Sequence, residues 1–331
     1  MSRLRFEFVA ACGFCALAGG ACINVQGADS NAQVYPAHPV RFIVPFPPAG
    51  GTDIVARVIG QKLGERFAQS FIIDNRGGAA GTLGAAIAAK SAADGYTIML
   101  ATATFAISAN FYKQLPYDSA RDFAAVSHIA SGPLLFVVHP SLPARSLKDL
   151  IALARANTGT LNYASGGEGG INHLAAEMFN HLAAVRIVHV PYKGAGPALT
   201  ALLGGEAQLM IATLGSCLPH VRAGKLRALA VGGQRRTALL TELPTAIEAG
   251  LPGYAADSWY GLVVPRGTPS AVIDALNRQI IASLEVPDVR AQFVALGFEP
   301  ETSTPAQFAS YLKSEITKWG SVVKIAKSTA Q

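Results

Sequence analysis

The chain has 331 residues, half of them apolar and 15% charged, with a formal net charge of +6. That length and apolar content suffice for a large core and suit two domains better than one. The basic residues are scattered singly with no aromatic-rich basic cluster, which argues against nucleic-acid binding and leaves attraction of small anions into a cleft as the use of the charge.

Arg3 and Arg5 precede an apolar stretch from Phe8 to Ala18, then small residues and a polar run from Gln26 to Asn31. This is the pattern of an export signal, with an apolar segment shorter than the roughly 20 residues of a spanning helix. Residues 1–28 are the expected leader, cleaved after Gly27 or Ala28, although Glu7 is unusual so near the start. Gly19-Gly20-Ala21-Cys22 faintly resembles a lipoprotein site, but Gly19 stands where a larger aliphatic residue is usual, so simple cleavage and a periplasmic location are expected. Removing Arg3, Arg5 and Glu7 takes away two positive charges and one negative, leaving +5. Three of the four cysteines lie in the leader. Cys217 alone survives, so no disulfide framework forms within one mature molecule, as suits an exported protein large enough to fold without staples.

Val40 to Val44 reads as a buried strand leaving through Pro45-Phe46-Pro47-Pro48-Ala49-Gly50-Gly51-Thr52-Asp53 into a helix. The prolines stiffen the exit and the glycines let main chain approach a ligand, with Thr52 or Asp53 as N-cap. The first turn of a helix carries unpaired amides and a positive dipole end, which together bind carboxylate or phosphate. The same residues also suit an ordinary turn capped by water and Thr52 or Asp53. Phe71 to Asp74 is the next expected strand, followed by a flexible turn, an alanine-rich helix from about Leu83 to Ala92, and a strand from Thr97 to Ala101 covered on both faces. Thr102 to Phe105 falls just beyond its carboxyl end, where open parallel sheets bind ligands. Three strand-helix units in a row make the first half α/β.

A second series begins near Ser131, with strands over Leu134 to His139 and Leu161 to Ala164 and a helix from Ser146 to about Ala156. Ser165-Gly166-Gly167-Glu168-Gly169-Gly170-Ile171-Asn172-His173 is a second glycine-rich strand-to-helix junction. His189 to Pro191, Gln208 to Ala212 and Arg227 to Val231 complete a sheet, with a helix from about Ala198 to Leu203. The chain then returns to the first domain near Ser258 to Val264, and helices follow over Ala271 to Leu284 and Pro305 to Lys324. Two α/β lobes with similar glycine-rich mouths describe a clamshell that closes on a small solute.

Several chemistries fail on spacing. Neither glycine-rich run ends in the Gly-Lys-Ser/Thr of a nucleotide site, and no G-x-S-x-G elbow exists. Ser165 and Ser216, with His173 and His220 not far along the chain, leave a serine hydrolase of small esters as the alternative reading. His173 and Glu177 share a helical face, but without a second histidine in H-E-x-x-H a surface pair or cap suits them better than a metal. Lys193 could sit over an anionic ligand or be a solvated loop lysine. Trp259 and Tyr260 point to opposite faces of a strand, so at most one faces a ligand.

The residues at this point resemble a known family, the periplasmic substrate-binding receptors of tripartite tricarboxylate transporters, also called Bug proteins. The likeness runs from about Tyr35 to the C-terminus. Its carriers are Pro45 to Asp53, Asp94-Gly95-Tyr96-Thr97, Leu115-Pro116-Tyr117-Asp118, Leu161 to Gly166, His189-Val190-Pro191-Tyr192-Lys193-Gly194, Leu218-Pro219-His220 with Ala223 to Ala230, and Trp259-Tyr260-Gly261-Leu262. The resemblance implies a two-domain α/β periplasmic-binding-protein fold of type II, the Venus flytrap, with a cleft in which backbone amides and ordered waters hold a carboxylate. Its lobes would be residues 36–130 plus 257–331, and 131–256.

The implied ligand-binding residues are Phe46, Pro47, Ala49, Gly50, Thr52, Asp53, Thr102, Thr104, Phe105, Ser165, Gly166, Gly167, Gly169, His173, Tyr192, Ala212 and Trp259. Catalytic residues, metal and cofactor are not expected. The implied partners are a small organic carboxylate and the permease subunits of a tripartite transporter, with the receptor a monomer; presentation to a sensor protein is a further possibility. Where the family usually has histidine this chain has Phe105, and where it often has an acidic residue, followed by asparagine or serine, it has Ala212 and Thr213. Those exchanges point to an acid with an aromatic or long apolar body rather than citrate or an amino acid.

Overall fold

A computed structural model describes residues 35–48 and 50–329. The leader with its cleavage site and Cys22, and the loop residue Ala49, lie outside the described residues. From Tyr35 onward the chain forms one compact unit.

The apolar run Val40–Val44 forms strand β1, buried at four of its five positions, and passes through the proline-rich turn into helix α1, Gly51–Phe67. Strand β2, Phe71–Asn75, pairs parallel to it on one side. After a short 3-10 turn at Ala79–Gly81 come helix α2, Thr82–Ala89, then β3, Thr97–Thr102, parallel to β1 on its other side, and helix α3, Ala103–Phe111. Strand β4, Phe123–Val138, is the longest strand among the described residues. Helix α4, Leu147–Ala156, starts where the Ser146 side chain accepts the Asp149 amide, an N-cap of the ordinary kind.

The second series continues with β5, Asn162–Ser165; α5, Ile171–Ala183; β6, Val188–Pro191; and α6, Ala195–Leu203. It closes with β7, Leu209–Thr213; α7, Leu214–Arg222; and β8, Arg227–Val231. Strand β9, Asp257–Pro265, re-enters the first sheet, and α8, Ser270–Leu284, α9, Pro287–Ala295, β10, Glu299–Pro300, and α10, Pro305–Thr329, end the chain.

The strand order is β2-β1-β3-β9-β4-β7-β5-β6, with β8 and β10 also on β4. The first part of β4 pairs antiparallel with β9, from Phe123 opposite Pro265 to Pro133 opposite Asp257, whereas Leu134 to Val138 pair with β7 and β8. One strand thus serves two sheet regions and changes partners at Pro133. Helices α1 and α8 cover one face of the first region, with Ile59, Leu63, Leu276 and Ile280 in its core. Leu135, Val137, Met210 and Cys217 pack in the second. A third core joins Trp259, Phe308 and Trp319 from β9 and α10 with Phe136, Leu174 and Phe179.

The structure corrects the sequence reading in three places. The sheet is mixed, since β3 and β4 both run antiparallel to β9. The strand expected over Leu134 to His139 is the end of a longer one, since β4 starts at Phe123 in the first region and enters the second at Leu134. Helices α3, α7 and α9 were not anticipated: the first two begin on short polar stretches at strand ends, Thr102 to Phe105 and Thr213 to Ser216, which read as loop, and the last follows α8 with a break of two residues.

Candidate ligand-binding cleft

Five helices begin around one cavity of about 320 Å³. The β1–α1 turn supplies Phe46, Pro47, Pro48, Gly50, Gly51 and Thr52, and the start of α3 supplies Thr102, Ala103 and Thr104. From the second sheet region come Gly166, the α5 start at Gly170, Ile171 and Asn172, the α6 start from Lys193 to Pro197, and Thr213 before α7. Ala80, Ser258 and Tyr260 complete the wall. Each helix start presents amides without intrahelical acceptors and the positive end of its dipole. Among the described residues no carboxylate side chain lines the cavity, and Lys193 is its one formal charge.

The β1–α1 turn is held from behind. Asp53 is almost fully buried; it forms an ion pair with Arg57 at 2.9 Å and accepts a hydrogen bond from Asn75 Nδ2 at 3.0 Å. Asn75 Nδ2 also donates to the Phe46 carbonyl at 3.1 Å. Asp53 therefore shapes the turn and does not line the cavity. The N-cap of α1 is Gly50, with no side-chain cap, so neither Thr52 nor Asp53 takes that role. Among the described residues the Gly51 and Thr52 amides have no acceptor. Gly50 has ordinary extended geometry and room for a side chain, whereas a Cβ on Gly51 would lie 3.2 Å from the Tyr260 hydroxyl and 3.3 Å from Phe298. Of these two glycines Gly51 is the tightly packed one.

Tyr260 is buried, which pushes its phenol up to about 12, with the Ser258 and Thr52 hydroxyls pulling the other way. It stays a neutral donor. Thr102 Oγ1 is buried and has no hydrogen-bond partner among the described residues. Thr104 Oγ1 accepts the Ile171 amide at 3.3 Å, joining the starts of α3 and α5. Gly166 approaches the start of α6 so closely that a Cβ would stand 2.8 Å from the Ala195 nitrogen.

Of the expected residues, the structure places Phe46, Pro47, Gly50, Thr52, Thr102, Thr104 and Gly166 on the cavity wall, with Ala49 outside the described residues. The other nine do not line it. Phe105 stacks on Tyr117 and meets Phe123 edge-on in the core. Ala212 is fully buried opposite Leu135. Trp259 donates to Glu315 of α10 at 2.9 Å, and Tyr260, the alternate residue, faces the cavity instead. Gly167 and Ser165 bond each other within the second glycine-rich turn, Gly169 lies against the Phe111 ring, and the Tyr192 hydroxyl donates to Glu206 at 3.4 Å.

His173 belongs to a stack of rings beneath that turn. It lies 4.1 Å from His189, which lies 4.9 Å from Tyr163, all within 16° of parallel for the adjacent pairs. The Gly169 amide donates to His173 Nδ1, and Ser165 Oγ is 2.6 Å from His189 Nε2. Burial pushes His189 down to about 4; burial and the neighbouring His189 push His173 down to about 3. Ser165 thus has a histidine partner, but not one of the two nearest in sequence, and it is fully buried and off the cavity wall. Glu177 accepts from the Tyr163 hydroxyl and pairs with neither ring. The Cys217 thiol is buried and pushed up to about 12 by desolvation.

Two α/β sheet regions connected by β4 and β9, with helix starts from both surrounding one cavity, define a solute-binding receptor of the type II periplasmic-binding fold. The model of the tripartite tricarboxylate transporter family receptor matches residues 55–327, and the chain belongs to that family. Protein BugT of Bordetella pertussis is 38% identical over 299 residues, 90% of this chain and 92% of BugT. Among solved structures, R. palustris Rpa4515 with adipate is 38% identical with a TM-score of 0.85, covering 88% of this chain and 98% of that one. MatC from Rhodopseudomonas palustris with bound malate is 32% identical with a TM-score of 0.82, covering 87% and 100%.

Proposed function

We propose that this receptor captures a small organic carboxylate in the periplasm and delivers it to the membrane subunits of a tripartite tricarboxylate-type transporter, without making or breaking a bond. The observation that carries the reading is the convergence of five helix starts and one lysine on a cavity whose described lining has no acidic side chain. Such a wall repays an anion for its lost water with fixed donors. Rpa4515 was solved with adipate and MatC with malate, both dicarboxylates, and the likeness extends that class of acid to this chain.

The cavity is near the lower end of the range of about 300–1,000 Å³ for ligand pockets, which suits a metabolite of modest size. Phe105 and Ala212 do not line the cavity, so the reading of the ligand body rests on the wall residues. Phe46, Pro47, Pro48, Ala80, Ile171 and Pro197 take their place, and their apolar surface favours an aromatic or extended aliphatic acid over a hydroxyl-rich one. The lobes are read as residues 36–130 plus 257–331 and residues 131–256, hinged where β4 and β9 cross, with residues 1–28 removed on export and the receptor working as a monomer.

A thermal-shift screen of mono- and dicarboxylic acids alongside neutral amides and sugars tests the reading. An acid present at about 100 times its dissociation constant adds about 2.7 kcal/mol to stability. Stabilisation by a neutral solute and by none of the acids would overturn it.

A further inference from the structure

Resting on the solute-receptor reading, we propose that Glu315 of α10 is a positioning residue of the cleft: it touches no ligand and fixes the stretch of wall that β9 supplies. The chain has two tryptophans, and both indoles donate to the same carboxylate oxygen, Glu315 Oε2, at 2.9 Å. All three side chains are buried, and the other oxygen of Glu315 accepts from Lys318 Nζ at 3.1 Å. A carboxylate held this far from water would be costly without those donors. The two indole bonds differ in what they join. Trp319 lies four residues further along α10, so its bond stays within the helix. Trp259 belongs to β9, so its bond crosses from the strand to the helix.

Successive side chains of a strand point to opposite faces. Trp259 reaches back to α10, while its neighbours Ser258 and Tyr260 line the cavity. The Tyr260 hydroxyl continues to the Thr52 side chain at the start of α1. A roll of β9 at Trp259 therefore moves two wall residues and the helix start they support. The helix on the other side of the bond is a firm support, because α10 packs on both α3 and α5, which begin at the cavity. Asn110 Nδ2 of α3 donates to the Ile316 carbonyl of α10 at 2.8 Å, and Lys327 Nζ of α10 donates to the Phe111 carbonyl of α3 at 2.8 Å. Glu315 is thus where β9 is keyed to a helix shared by both walls, two residues along the strand from Asp257 at the crossing into the second region.

The test compares wild type with Trp259→Phe and Trp319→Phe, each of which keeps a ring in the core and removes one donor from the same oxygen. Calorimetry with linear mono- and dicarboxylates of about four to eight carbons reads affinity, and melting curves read stability. Both variants should melt below wild type. Trp259→Phe should weaken the best acid by about 5- to 20-fold, part of the range of a hydrogen bond to a charged group, whereas Trp319→Phe should stay within about 2-fold of wild type. Emission should separate them further: saturating acid should change the fluorescence of Trp319→Phe, whose remaining indole is Trp259, and leave that of Trp259→Phe nearly unchanged. Glu315→Ala should lose affinity as Trp259→Phe does, and Glu315→Gln, which keeps an oxygen for both indoles, should recover most of it. Equal affinity changes in the two tryptophan variants, or none in either, would overturn the role of Glu315, since a purely structural carboxylate would treat both bonds alike; these variants decide the matter if Glu315→Ala does not fold. If wild type binds a neutral solute and none of the acids, the carboxylate reading fails, and the same comparison made with that solute still judges Glu315. Binding of neither kind of solute would overturn both.

Discussion

Asp53 serves the cavity without touching it. Its carboxylate is shared between Arg57 and Asn75, and Asn75 passes the constraint to the Phe46 carbonyl, which fixes where the turn presents Phe46 and Pro47. Asp53→Ala should therefore lower stability by about 1–3 kcal/mol, the cost of stranding buried hydrogen-bond partners, and weaken acid binding although no ligand contact is deleted. Denaturant titration and calorimetry check the two effects; loss of binding with unchanged stability would show that Asp53 acts at the ligand instead. The adjacent glycines separate the same two quantities. Gly50→Val has room on the protein side and lines the cavity, so it should reduce affinity with little change in melting temperature, whereas Gly51→Val meets Tyr260 and Phe298 and should reduce both. Identical melting temperatures for the two variants would contradict the packing described.

At the scale of elements, what the sequence showed was strand ends and glycine-rich mouths; what it hid was rotation about helix axes and long-range partners. The proline-rich turn was visible because its residue types admit few conformations, and Phe46, Pro47, Gly50 and Thr52 fell on the wall accordingly. Phe105 was misplaced because α3 was read as loop: once helical, 102 to 104 face the cavity while 105 turns to Tyr117 and Phe123. The choice between Trp259 and Tyr260 depended on Glu315, which is 56 residues away and accepts both the Trp259 and Trp319 indoles. His189, the partner of Ser165 and His173, likewise comes from a neighbouring strand. That ring stack yields a pH prediction. His173 and His189 titrate near 6.5 when unfolded but at about 3 and about 4 in the native protein, so below pH 6.5 the unfolded chain binds protons that the folded one refuses. Stability should fall as pH drops from 6.5 towards 4. Asp257 works in the opposite sense, since burial raises its carboxyl to about 6 and folding then favours its protonation between pH 6 and 3.8. Glu177, raised by burial, acts with Asp257, and His128, lowered by burial, acts with His173 and His189, whose larger displacement decides the sign. Melting temperatures that stay level or rise between pH 7 and 4.5 would contradict the buried, neutral stack.

For the molecule as a whole, the question is what holds two walls together when the ligand is small. Strands β4 and β9 connect the sheet regions through Gly132 and Pro133 opposite Ser258 and Asp257, the crossing at which the proposed lobes would hinge. Trp259 and α10 stiffen it from behind, so the energy that selects the closed arrangement has to come from contacts across the cleft. One is built into the protein: the Ile171 amide donates to Thr104 Oγ1, linking the start of α5 to the start of α3. Both residues line the cavity, so in the proposed carboxylate complex an acid would compete for this amide, and the bond would favour closure while no acid is bound. Thr104→Val keeps the side-chain shape and removes the acceptor. It should enlarge the radius of gyration of the ligand-free protein in solution scattering, and weaken the best acid by about 5-fold, the equivalent of about 1 kcal/mol for one neutral hydrogen bond. Saturating acid should restore the compact dimension, because the ligand supplies cross-cleft contacts of its own. If the variant is as compact as wild type without acid and binds as tightly, the two walls are held by the crossing strands and α10 alone, and cross-cleft contacts do not set the closed arrangement.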